Sequence, residues 1–284
     1  MGIGIWCLEV LWCLELRAWS LPATLRQGGE GGRLMQAYWT LTRRDLAGYF
    51  LSLTGYVVIA ATTFLVGLSF VDLLKALKQE PTAMPVTELF YVTWYFWLIL
   101  LLTTPVITMR LFALEKFSGT FETLMTTPVS DLEVVLAKFT AALIFYAFMW
   151  LPLLGCVLLV RHYSSGQAAL DAGSLGGTFL GILLLGGLFI SLGCCASSLT
   201  RSQMVAAILT LVLSVSLFLL SVLAEQTQTQ DTWQAQVLAC FALARQMHDF
   251  TRGIVDTQPV VLFVSLTFFF LFLTLRIVES RRWK

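Results

Sequence analysis

Charged side chains are scarce in this chain. Only 12% of its 284 residues are Asp, Glu, Lys or Arg, whereas 58% are apolar or aromatic. Soluble domains contain roughly 25% charged residues. This shortage argues against an ordinary water-soluble domain and predicts a membrane protein. The formal net charge of +1 and the scattered basic residues also argue against nucleic acid as a partner.

Residue patterns that bind metals or nucleotides are also missing. The six cysteines include no CxxC pair, and the two histidines, His162 and His248, are not spaced to join them as metal ligands. No lysine is followed by Ser or Thr, which a Walker A loop needs to contact phosphate and magnesium. The sequence therefore predicts a protein that is not an enzyme and that binds no metal, cofactor or ATP of its own.

Long uncharged runs are what the chain does contain. They cover residues 46–71, 89–109, 139–160, 172–200, 202–224 and 257–275. About 20 residues of helix cross the bilayer core, and only helices satisfy the backbone of such runs without water. The predicted fold is one all-α membrane domain of six transmembrane helices. Because none of the runs contains Asp, Glu, Lys, Arg or His, ion coupling through a buried carboxylate is disfavoured. Sodium sites built from hydroxyls and carbonyls are not excluded.

The basic residues predict an orientation. If the six runs cross in turn, thirteen of the 18 Lys and Arg residues fall on the side of both termini and five on the other. Because cytoplasmic loops carry the excess of basic residues, both termini are predicted to be cytoplasmic.

A charged segment, "EKFSGTFETLMTTPVSD", lies between the second and third runs on the cytoplasmic side. Residues 111–126 are predicted to form a helix that Gly119 weakens and Pro128 ends. Ser130 and Glu133 have capping-box spacing and predict the start of the next helix. The alternative is an ordinary solvated loop.

This segment closely resembles the signature of ABC-2-type transporter permeases, in particular the subgroup with the gliding-motility and nitrous-oxide-reductase accessory permeases. The matching string begins at Glu115 and ends with "TPVSDLEVVLAKF". A second stretch is similar to the start of that subgroup's chains, and it reads "QAYWTLTRRDLAGYFLSLTGYVV". The end of the chain, from "HDFTRGIVDTQP" onward, is similar to their end. The resemblance covers residues 35–284. Residues 1–34 form an extension outside it, which we expect to reflect a start assigned upstream of Met35, with an interfacial helix as the alternative.

The resemblance implies a multi-pass permease subunit of an exporter in the bacterial inner membrane. Its expected partners are membrane lipid, a second permease (another copy or a related chain) and separate ABC ATPase subunits, which would bind ATP and magnesium. In the family, the loop between the second and third spans docks on the ATPase. The coupling residues carried over on this basis are Glu115, Lys116, Ser118, Gly119, Thr120, Glu122 and Pro128. Lys116 would be an ion-pair partner for the ATPase. The alternative function is a non-transporting anchor or sensor of a larger envelope assembly.

The region before the last predicted span also resembles the family. In the family, the region before the last span closes the outer mouth of the pathway, and the residues matching it here are His248, Phe250, Gly253 and Asp256. The Ser-Pro that often precedes this histidine is replaced by "ALAR".

Glycines and prolines within the spans have alternative interpretations. Gly173, Gly177 and Gly181 make one helix face smooth for packing, either within the chain or between two copies. Pro105 and Pro152 predict kinks, which are either static or a gating hinge.

Overall fold

The structure is a computed structural model that describes residues 30–79, 94–119, 130–163, 172–226 and 242–282. Within these ranges every regular element is a helix. In chain order the helices are α1 (Glu30–Phe50), α2 (Leu53–Gln79), α3 (Trp94–Thr108), α4 (Ala113–Ser118), α5 (Asp131–Met149), α6 (Leu151–Tyr163), α7 (Ala172–Leu199), α8 (Gln203–Gln226), α9 (Leu243–Thr251) and α10 (Thr257–Arg282).

Among the described residues, six segments are long and apolar enough to cross a membrane. They are Leu53–Lys75 in α2, Trp94–Ser118 in α3 and α4, Asp131–Leu159 in α5 and α6, Gly173–Leu199 in α7, Gln203–Ala224 in α8, and Thr257–Ser280 in α10. The prediction of an all-α protein with six spanning helices is confirmed. An α-helix satisfies its own backbone N–H and C=O groups by hydrogen bonds, as a segment surrounded by hydrocarbon must.

Helix α7 lies at the centre of the bundle. In its most apolar window 78% of the residues are buried, against 28% in α2, 22% in α8 and 17% in α10. It packs against α3, α5, α8, α9 and α10. The outer helices expose large side chains such as Phe64, Ile208 and Phe268. Such apolar surfaces suit contact with lipid, while α7 is shielded by protein.

The first span begins later than the uncharged run at 46–71 predicted. Helix α1 ends at Phe50, and after a two-residue turn α2 begins at Leu53. The turn is tight, because a Cβ on Gly55 would lie 2.0 Å from the carbonyl oxygen of Tyr49. The apolar residues before the turn therefore belong to α1, and the expected start of the span was wrong by about two helical turns.

Contacts with α3 and α5 explain why α1 is apolar at its end. The ring of Tyr49 stacks on Phe145 with centroids 5.0 Å apart, and its hydroxyl donates to the carbonyl of Ile107 at 2.9 Å. The hydroxyl of Tyr38 donates to Thr140 Oγ1 at 3.0 Å. Burial raises the pKa of Tyr49 well above its ordinary value, which keeps the phenol a hydrogen-bond donor.

The two prolines have different effects on their helices. Pro105 lies buried within a continuous α3. Pro152 lies just after the point where α5 ends and α6 begins, and Trp150 between them donates its backbone N–H to Ala147. A proline lacks the N–H that would continue the helix ladder, so the third span is interrupted at Trp150.

Candidate functional site

The charged segment overlaps the end of the second span, and its first residues lie in the short helix α4. We predicted a helix over residues 111–126, but α4 ends at Ser118. Gly119 follows with φ 74°, a left-handed conformation that terminates helices. The glycine therefore ends the helix and does not merely weaken it, so that prediction was wrong. Thr120, Glu122 and Pro128 lie outside the described residues.

Helix α4 is fastened to the end of α7 by hydrogen bonds. The hydroxyl oxygen of Ser197 accepts the backbone N–H groups of Phe112 at 3.1 Å and Ala113 at 3.2 Å. First-turn N–H groups have no partner within their own helix, so Ser197 supplies one from a different span. The ammonium group of Lys116 donates to the carbonyl of Ser198. Lys116, which we expected to face the ATPase, is thus bound to α7 in this chain.

Four charged side chains tie α4 to α1 and α5, and we call them the charged cluster: Arg44, Asp45, Glu115 and Lys138. Lys138 Nζ lies 2.8 Å from Glu115 Oε1 and 3.2 Å from Asp45 Oδ2. Arg44 Nη2 lies 3.0 Å from the same Glu115 oxygen and 2.9 Å from Asp45 Oδ1. Two cations and two anions make the cluster neutral overall, which favours its placement beside apolar spans.

Lys138 is the most buried member of the cluster. Its side chain is 4% exposed, against 13% for Asp45, 16% for Glu115 and 52% for Arg44. The ammonium group also lies 5.5 Å from the centre of the Phe112 ring, within the range of a cation–π contact. Removing one partner from a buried ion pair leaves the others uncompensated. Lys138 therefore links α1, α4 and α5 through its ion pairs with Asp45 and Glu115.

The far side of α4 is exposed. Phe117 is 78% exposed, and Ser118 and Gly119 are exposed beside it. The next described element begins at Ser130, where the predicted capping box is confirmed. Ser130 Oγ accepts the N–H of Glu133 at 3.3 Å, and the Glu133 carboxylate accepts the N–H of Ser130 at 3.1 Å. Helix α4 thus has a base fastened to its neighbours and an exposed tip formed by Phe117, Ser118 and Gly119, and α5 has a firmly capped start.

A second group of predicted residues lies at the opposite end of α7, where α9 packs on it. Ser174 Oγ donates to the carbonyl of Thr251 at 2.5 Å. A Cβ on Gly177 would lie 2.5 Å from the carbonyl oxygen of Phe250, and one on Gly181 would lie 2.7 Å from the sulfur of Met247. Gly177 and Gly181 thus meet α9 of the same chain, while Gly173 itself is exposed.

The residues matched to the outer gate are only partly brought together. Phe250 is buried, and its ring lies 6.4 Å from that of Phe263 on α10. Gly253 has φ 81° and ends α9 in the same way as Gly119 ends α4. The backbone carbonyl of His248 accepts the hydroxyl of Thr251 at 2.7 Å. Asp256 is exposed. Among the described residues no group of three or more His, Cys, Asp or Glu could hold a metal ion.

Sequence reasoning missed several residues that build the α4 site. Glu115, Lys116 and Gly119 were named, but Asp45, Lys138 and the two serines at the end of α7 were not. A signal existed for Lys138, since it is the one charged residue in an otherwise uncharged stretch from Val134 to Val160. The serines gave no signal, because their value depends on α7 ending beside α4.

A comparison with protein families finds a match over most of the chain. The model of the family described as ABC-2 family transporter protein matches residues 58–279, which include all six spans except the first turn or so of α2. A search of curated proteins found no match to the chain.

Proposed function

The chain belongs to the ABC-2 family of transporter proteins, and we propose that it is the permease subunit of an exporter whose ATP is hydrolysed by a separate ATPase subunit. Membership makes it a multi-pass membrane component of an ABC transporter. The separate ATPase, the outward direction and a location in the bacterial inner membrane are parts of the proposal. ATP and magnesium would be bound by the ATPase.

The observation that carries the proposal is the construction of α4. A contact point for an ATPase needs a surface that reaches out of the membrane and a base that passes force to the spans. Phe117 and Gly119 are exposed at the tip. Glu115 and Lys116 at the base bond to α1, α5 and α7. Displacing the tip would therefore move at least three helices together, in a rigid-body change.

This construction suggests two roles in coupling, one for the matched residues Glu115 and Lys116 and one for Phe117, which was not among the matched residues. Glu115 and Lys116 would transmit force inside the permease, because their charged groups already have partners there. The exposed Phe117 would contact the ATPase, since aromatic side chains often anchor protein interfaces. Thr120, Glu122 and Pro128 keep the ATPase-coupling role that the resemblance implies. Glu122 in particular would make a charged contact with the ATPase.

Orientation, assembly and subgroup belong to the same proposal. The excess of basic residues on one side supports cytoplasmic termini and a cytoplasmic α4. The exposed apolar faces of α2, α8 and α10 leave room for a second permease copy as well as for lipid. Membership of the gliding-motility and nitrous-oxide-reductase accessory subgroup is also part of the proposal, and it rests on the resemblance of residues 36–58 and of the stretch that begins at His248.

The test is to purify the tagged full chain from its native membrane in mild detergent, identify the bound ATPase and measure ATP hydrolysis. We expect Phe117→Ala to weaken association by about tenfold or more, the scale of one interface anchor. Trp94→Ala is the matched control, because Trp94 is a 61% exposed aromatic at the opposite end of α3. Glu122→Ala tests the charged contact in the same assay.

Each outcome decides one point. Retention of the ATPase by Trp94→Ala and its loss by Phe117→Ala would support docking at α4. Equal retention by both variants would show that the α4 tip is an ordinary solvated surface. An ATPase that binds but drives no flux in vesicles would favour the anchor or sensor function, since only a transporter moves cargo.

A further inference from the structure

We propose that α7 carries the movement of α4 across the membrane to α9, with Lys116, Ser197 and Ser174 as positioning residues. The inference rests on the proposed function, because it concerns how a movement on the ATPase side reaches the opposite side. Helix α7 has 28 residues, and at 1.5 Å per residue it is about 42 Å long. One rigid element therefore extends from α4 to α9.

At one end, α7 bonds to α4 without an intervening loop. Ser197 Oγ holds two backbone N–H groups at the start of α4. Lys116 donates to the Ser198 carbonyl, one of the last carbonyls of α7, where the helix dipole favours a cation. Two separate bonds of this kind transmit both a shift and a rotation of α4 to the last turn of α7.

At the other end, α7 and α9 touch backbone to backbone. Ser174 Oγ bonds to the Thr251 carbonyl at 2.5 Å, and a Cβ at Gly177 would meet the Phe250 carbonyl. A Cβ on Gly253 would lie 3.0 Å from the backbone nitrogen of Ser174. No flexible side chain separates the two backbones here, so α9 must follow α7 or lose these contacts.

A second route to α9 runs through α8. The N–H of Ala244 donates to Ser221 Oγ on α8 at 3.1 Å, and α8 also packs on α4. However, only 22% of the residues in the most apolar part of α8 are buried, whereas 78% are buried in the corresponding part of α7. The better enclosed helix has less freedom to absorb a displacement by moving into lipid. We therefore assign the transmission to α7 and use Ser221 as the comparison.

The experiment measures hydrogen–deuterium exchange of the full chain in complex with its co-purified ATPase, with and without ATP and vanadate. In the wild type we expect trapping to change exchange in both α4 and α9. Lys116→Met should retain the ATPase and the change in α4 but lose at least about half of the change in α9, while Lys116→Arg restores it. The loss reflects one charge-assisted hydrogen bond.

Two comparison variants make the result decisive. Ser174→Ala removes the α7 bond to α9 and should reduce the α9 response, whereas Ser221→Ala removes the α8 bond and should leave it intact. A wild-type α9 response in Lys116→Met, or its loss in Ser221→Ala alone, overturns the assignment to α7.

Exchange of the full chain without the ATPase separates this inference from the proposed function. If α7 links the two ends, Lys116→Met should speed exchange in α9 several-fold, because α7 loses its bond to α4 and then stabilises α9 against local opening less well. Lys75→Met is the control, since Lys75 pairs with Asp72 at the exposed end of α2. Unchanged α9 exchange in Lys116→Met overturns the link whether or not an ATPase binds. Faster α9 exchange in a chain that binds no ATPase overturns the proposed function alone.

Discussion

The two ends of α7 are held by different chemistry. At the α4 end the contacts are made by hydroxyls and long charged side chains, including Lys116 and, one layer away, Lys138. At the α9 end they are made mainly by glycines and backbone carbonyls, together with the hydroxyl of Ser174 and the side chain of Met247. Charged side chains can rotate and exchange partners, whereas a backbone packed on a glycine has no such freedom.

This difference suits two tasks. An end that receives a movement must accommodate two positions of α4, and the charged cluster offers several alternative pairings among its four members. An end that must repeat the movement of α7 benefits from contacts that cannot stretch. The difference requires that the charged cluster links the helices at the α4 end and that the α9 end does not admit added side chains, and the following variants test both.

The largest expected effect is at Lys138. Lys138→Met removes the buried ammonium and leaves Asp45 and Glu115, both largely buried, without it. We expect the free energy of unfolding to fall by about 3–5 kcal/mol, the usual result of breaking a buried ion pair. Thermal unfolding of the full chain in detergent measures the loss.

The control for Lys138 is Lys75→Met. Lys75 pairs with Asp72 at a side-chain exposure of 68%, and such surface pairs contribute at most about 1 kcal/mol. Adding Glu115→Gln to Lys138→Met should recover part of the lost stability, because it removes the excess negative charge that the loss of Lys138 leaves in the cluster. A Lys138→Met variant as stable as the wild type would mean that the cluster does not hold the helices together.

A smaller effect is expected at the α9 end. Gly177→Ala places a Cβ 2.5 Å from the Phe250 carbonyl, and forcing a methyl group into a closed contact costs about 1–3 kcal/mol. The neighbouring Gly176 has nothing within 4 Å of its would-be Cβ. Gly176→Ala should therefore be neutral or stabilise by up to about 1 kcal/mol, since alanine favours helix. Equal stability of the two variants, measured by thermal unfolding, would remove the argument for a rigid α9 end.

The fold was largely predictable from the sequence because hydrocarbon imposes a simple rule. A run of about 20 uncharged residues must form a helix, so six runs predict six spans. The boundaries were less predictable where apolar residues face protein and not lipid. Residues 46–50 lie in α1 because Tyr49 and its neighbours pack on α5 and α3, and no local pattern separates such burial from insertion into lipid.

The α4 site was only half predictable, for a similar reason. Gly119 and the capping box at Ser130 could be read locally, although the left-handed conformation that ends α4 was not foreseen. The partners of Glu115 lie 71 residues away at Arg44 and 23 away at Lys138. Such pairings depend on how the helices are arranged in the bundle, and a single sequence does not carry that information.

The smallest effect concerns the two glycines that end α4 and α9. Gly119 and Gly253 have φ of 74° and 81°, so alanine at either position costs about 1–2 kcal/mol through backbone strain. A Cβ at Gly119 meets nothing within 4 Å, whereas one at Gly253 lies 3.0 Å from the nitrogen of Ser174. Gly253→Ala should therefore be the more destabilising of the two in thermal unfolding.

Substitution by asparagine separates the cost of backbone strain from the cost of steric crowding, because asparagine adopts positive φ more readily than alanine does. Gly119→Asn should recover most of the stability that Gly119→Ala loses, since the surrounding space is open. Gly253→Asn should recover little, because its Cβ meets the same backbone nitrogen as that of alanine. Equal recovery at the two positions would show that α7 and α9 can move apart to admit a side chain. The α9 end would then be as adjustable as the α4 end, and the difference between the two ends of α7 would disappear.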